Sequence, residues 1–96
     1  MKIWIVVGQT GEYSDRTEWM VGAYRSEAAA QVRVVELSRL IQHAPRSNIV
    51  NEFDKWEDRR ERVAFIRSHP DGDPSYQEDY TGTAYYPSVC ELEDEA

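Results

Sequence analysis

Ninety-six residues, 41% of them hydrophobic and including three Trp, six Tyr and two Phe, suffice for one folded domain and leave no room for two. The net charge of −7 is uneven: residues 68–96 hold eight carboxylates and no Lys or Arg, while residues 1–67 balance ten carboxylates against eleven basic groups. That balance excludes a free nucleic acid as direct partner, which would need a basic face, and the single Cys90 excludes an internal disulfide.

Lys2 to Gly8 is a run of β-branched and aromatic residues, read as a central strand buried on both faces. Its apolar stretch is only five residues long, too short for a signal-peptide core or a membrane span. A soluble cytoplasmic protein with no membrane partner is therefore expected. Gln9 to Arg16 has turn chemistry in Thr10-Gly11-Glu12 and Ser14-Asp15. Thr17 to Arg25 alternates, with Trp19, Val21 and Ala23 on one face and Met20, Gly22 and Tyr24 on the other, which predicts a second strand paired antiparallel with the first.

Ser26 is placed to cap a helix running from Glu27 to about Gln42. Ala30, Val34, Leu37 and Ile41 form its core stripe, and Ala28, Val32 and Val35 a second stripe that predicts cover on another side. Ala44-Pro45 ends it. Ser47 is a second cap candidate, followed by a helix to about Ser68 with Ile49, Phe53, Trp56 and Val63 on one face and an Asp58–Arg62 pair on the other. His69 to Pro74 carries two prolines and a glycine and is irregular. Thr83 to Leu92 alternates and reads as a last strand, with Pro87 placing it at a sheet edge or marking a bulge. The expected fold is α+β, β-β-α-α-β, an antiparallel sheet with two helices packed on one face, in a single domain spanning 1–96.

No catalytic constellation is legible. His43, His69 and Cys90 are scattered, Asp71 and Asp73 lack the later ligands of a calcium loop, and Gly8-Gln9-Thr10-Gly11 is followed by neither a helix nor G-K-[ST]. An enzyme, a cofactor and a bound metal are therefore not expected. Two segments mix Tyr, carboxylate and Gly: Gly11 to Asp15 with Glu18-Trp19, and Asp79 to Tyr86. Tyrosine gives large contact area at low entropy cost, so these segments are candidate binding surfaces.

The strings Gly8-x-Thr10-Gly11-Glu12-Tyr13-Ser14-Asp15-x-x-Glu18-Trp19, Ser26-Glu27-x-Ala29, Asp73-Pro74 and Asp79-Tyr80-Thr81-Gly82-Thr83-x-Tyr85 resemble a family of small uncharacterised proteins of phages, prophages and bacteria. The resemblance covers both ends of the chain and is weak from about Pro45 to Arg67. It implies a phage-accessory setting and carries no activity with it.

Two functions are compatible with these residues. In the first, the chain binds and inhibits a host protein with a basic surface, as in counter-defence against a CRISPR effector. The contacts would be Glu12, Tyr13, Asp15, Trp19, Asp79, Tyr80 and Tyr85, with Glu91, Glu93 and Asp94 mimicking nucleic-acid charge. In the second it sequesters a small molecule or nucleotide, with Tyr13, Trp19, Tyr80 and Tyr85 stacking and Asp15 and Asp79 accepting hydrogen bonds. Pairing of the Pro87 edge with a second copy would make a homodimer. If the last strand pairs antiparallel with the first, the two Tyr/Gly segments lie side by side, with Tyr13 and Tyr80 within about 15 Å.

Overall fold

The computed structural model describes residues 1–12, 14, 16–44, 52–78 and 82–92, excepting the side chains of 52–58. Tyr13, Asp15, Ser47, Ile49, Asp79, Tyr80, Glu93 and Asp94 lie outside the described residues, as do the side chains of Phe53, Trp56 and Asp58. The chain runs β1 (Lys2–Thr10), β2 (Thr17–Tyr24), α1 (Glu27–His43), α2 (Glu52–Ser68) and β3 (Thr83–Glu91). It is an α+β fold with an antiparallel sheet of order β2-β1-β3.

β1 is central, as its apolar run predicts, and it is sealed on one face only. Val6, Gly8 and Thr10 are buried on the helix side, whereas Ile3, Ile5 and Val7 on the other side are half-exposed. The expected burial on both faces fails because, among the described residues, α1 packs on one side of the sheet and α2 packs on α1.

The alternation of β2 also breaks. Val6 pairs with Gly22 and Val7 with Met20, so Val21 is an extra, bulged residue. The bulge shifts the phase. Tyr24 pairs with Trp4 and joins Trp19 and Val21 against the core, while Ala23, expected beside Trp19, moves to the open face.

Ser26 caps α1, its hydroxyl accepting the Ala29 N–H at 3.1 Å. Ala30 and Leu37 are fully buried, and Val34 and Ile41 pack beside them. The predicted second stripe has no cover among the described residues: Ala28 is exposed and Val32 and Val35 are 57% and 45% exposed. α2 ends at Ser68 and adds Ile66 to the core formed by Val6, Leu37, Tyr76 and Tyr85.

Candidate functional site

The segment after α2 folds back on its own helix. Gly72 N–H donates to the His69 carbonyl at 2.9 Å and Asp73 N–H to the Ile66 carbonyl at 3.2 Å. A Cβ on Gly72 would lie 1.8 Å from that Ile66 oxygen, so this close approach needs glycine. Arg33 on α1 ties the loop from the other side, donating to the carbonyls of Asp71 and Gly72 at 2.8 Å each. Arg67 Nε donates to the Tyr76 carbonyl at 2.8 Å.

This turn lodges Asp73, only 2% exposed, between two strands. Asp73 Oδ2 accepts from Trp19 Nε1 on β2 and from the Tyr85 hydroxyl on β3, both at 2.7 Å. Its Oδ1 accepts from Ser75 N–H at 3.0 Å. Tyr85 and Trp19 meet edge to face with centroids 6.2 Å apart. The indole crosses Gly8, where a Cβ would sit 2.4 Å from the ring. Burial, then the hydrogen bond and charge of Asp73, push the Tyr85 phenol pKa far above its ordinary 10. A carboxylate filled by three donors and closed off from water is a structural clasp joining β2, β3 and the turn.

A second tie lies nearby. Arg62 grips Glu78 through Nε at 2.7 and 2.9 Å and through Nη2 at 2.7 Å, with side chains 12% and 8% exposed. Of the four described carboxylates after residue 68, Asp73 and Glu78 are therefore turned inward.

The loop end of the sheet brings the two Tyr/Gly segments together. β1 and β3 pair antiparallel with Thr10 opposite Thr83, and Thr10 Oγ1 donates to the Gly82 carbonyl at 2.7 Å. Thr83 Oγ1 donates to the Gln77 carbonyl at 2.5 Å. A recess of about 340 Å³ lies between Gln9–Glu12 and Gly82–Ala84, with Glu12 exposed on its wall. Side-by-side placement of the segments holds at the level of their described residues.

No protein-family model, curated protein or solved structure matches the chain.

The sequence-selected residues divide among three places. Glu12 stands exposed at the loop end. Trp19 and Tyr85 face inward, their polar atoms held by Asp73, and Tyr85 is only 7% exposed, so neither offers a free stacking face with its polar group open. Glu91 sits at the far end, 3.5 Å from the Met1 amino group, about 27 Å from the loop end at ~3.3 Å per residue. Glu12 and Glu91 thus lie on separate patches. Sequence reasoning missed the Asp73 clasp, because Asp between Gly and Pro reads as a solvated turn. Its one signal was that Trp19, Asp73 and Tyr85 all fall in the strings that carry the family resemblance. Those strings also supply Thr10 and Gly82.

Proposed function

We propose that the chain is a protein-binding module that meets a basic partner surface with the loop end of its sheet. The observation carrying this reading is the β1–β3 register, which sets Gly11-Glu12 beside Gly82-Thr83. In the sequence Asp15 follows Glu12 by three residues and Asp79 precedes Gly82 by three. Among the described residues Glu12 and two glycines meet at this end, while the clasp behind them ties β2 and β3 to the turn. In a phage-accessory setting such binding acts by occupying a host protein surface, counter-defence being one form. Charge mimicry by the whole C-terminal third draws less support, because Asp73 and Glu78 are turned inward and Glu91 lies at the opposite end. The small-molecule reading draws less as well, since two of its four rings belong to the core side of the sheet.

Pull-down from bacterial lysate tests the proposal, using the wild type and a variant with Glu12→Gln, Asp15→Asn and Asp79→Asn. The expected outcome is a captured protein that the variant loses and that added salt releases. Equal capture by both forms contradicts it.

A further inference from the structure

The face of the sheet turned away from α1 has no cover among the described residues. By register it presents Ile3, Ile5 and Val7 from β1, Met20 from β2, and Ala84 and Tyr86 from β3. Met20 is 67% exposed. Apolar surface of this kind, continuous across three strands, marks an association site. The chemistry at its rim says what associates there.

Charge is absent from the middle of this face. β2 places one carboxylate on it, Glu18, opposite Gln9 at one end of the sheet. At its other end β2 passes into Arg25, which is exposed. Glu18 also pairs with Arg16 of its own chain, but side-chain exposures of 49% and 43% leave its carboxylate open to a second cation. An acid at one end of a strand and a base at the other is a self-complementary pattern. A two-fold axis between the sheets and perpendicular to the strands lays β2 of one copy antiparallel over β2 of the other. Each Glu18 then approaches the partner's Arg25, and Ile5 and Val7 of both copies meet at the centre. A two-fold parallel to the strands would instead lay β2 over β3 and leave Glu18 facing no cation. In the antiparallel arrangement the loop end of one copy, with Glu12, lies over the end of the other that holds Glu91, so these acids meet only at the exposed rim, where salt screens them, while Asp73 and Glu78 point inward.

We propose that this open face is a self-association surface, on which a second copy of the chain packs its own sheet with strands antiparallel and Glu18 and Arg25 paired reciprocally. Three strands at ~4.8 Å spacing and about eight residues at ~3.4 Å give a footprint of about 400 Å². With side-chain relief, two copies bury about 1,000 Å², the lower edge of a specific interface, so the dimer is weak and reversible. Met20 separates this inference from the loop-end reading, because it lies on the open face opposite Val7 and away from Glu12, whereas Glu18 is at the loop end and its variants are read by self-association alone.

Sedimentation equilibrium between about 5 and about 500 μM spans the dissociation constants expected for such an area. The mean mass should climb from 11.2 kDa toward twice that value. Met20→Lys, at an exposed position, should keep the wild-type far-UV circular dichroism and stay monomeric throughout. Glu18→Arg should weaken association about fivefold or more at low salt, and adding Arg25→Glu should restore it. A wild type that is monomeric at about 500 μM overturns the proposal and leaves the face to a partner of another kind. A dimer untouched by Met20→Lys also overturns it, placing contact elsewhere, such as Val32 and Val35 on α1. Failure of the double charge swap to restore association overturns the antiparallel arrangement.

Discussion

Replacing Asp73 with Ala should be the most damaging polar-to-apolar change in the described chain. It removes the acceptor shared by Trp19 Nε1 and the Tyr85 hydroxyl and strips Ser75 N–H of its partner. A buried donor left unsatisfied costs about 1–3 kcal/mol. Trp19 is half-exposed and can recruit water, which puts it at the low end; Tyr85 is 7% exposed and sits at the high end. The sum is about 2–5 kcal/mol, against a total of roughly 5–15 kcal/mol for a single domain. At about 4–8 °C per kcal/mol for a chain of this size, the melting temperature should fall by about 8–40 °C. Tyr85→Phe removes one donor and leaves Asp73 its other two, so it should cost only about 0.5–1.5 kcal/mol. The double variant should then be less destabilised than the sum of the two by about 1 kcal/mol or more, because the phenylalanine no longer strands a hydroxyl. Urea denaturation followed by tryptophan fluorescence and circular dichroism measures all three. An Asp73→Ala protein within about 0.5 kcal/mol of wild type, or a strictly additive cycle, would refute the clasp.

Further outcomes follow from the same contacts. Because the Tyr85 phenol has its pKa raised on folding, its contribution is complete below pH 10 and lost as pH rises above that unfolded value, at about 1.4 kcal/mol per pH unit; Tyr85→Phe should flatten the alkaline limb of a stability–pH profile. Gly72→Ala must push the turn away from the Ile66 carbonyl and should cost about 2–4 kcal/mol by thermal unfolding. Glu78→Gln breaks a pair that is mostly buried, costing about 1.5–3 kcal/mol with little change on raising salt, whereas Glu18→Gln, in an exposed pair, should stay within about 0.5 kcal/mol in the same denaturant series.

Local patterns carried the elements and lost the ties between them. The apolar run of β1, the Ser26 cap and the Ala30–Ile41 stripe are short-range signals, and each appears where the sequence puts it. Pro87 marked β3 as an edge or bulged strand, and it lies at the edge. The bulge at Val21 was not legible, since alternation continues through it in the sequence; Gly22, a glycine inside a strand, was the available hint. The Ala28–Val32–Val35 stripe has helical spacing whether or not a neighbour covers it, so periodicity alone predicted cover that is absent among the described residues. Asp73 was hidden for a different reason. Its partner Trp19 is 54 residues away and reaches it only through the β2-β1-β3 order and the return of the chain after α2. In the same way Glu78 counted toward an acidic surface until Arg62, 16 residues earlier, was found beside it.

A photo-cross-linking amino acid placed in turn at positions 12, 20 and 32, in protein expressed in bacterial cells, tests the account most directly. The loop-end reading predicts a cross-link from position 12 to a foreign protein. The open sheet face predicts a cross-link from position 20 to a second copy of the chain, and α1 predicts none from position 32. Foreign-protein cross-links centred on position 32, with position 12 silent, would contradict the account.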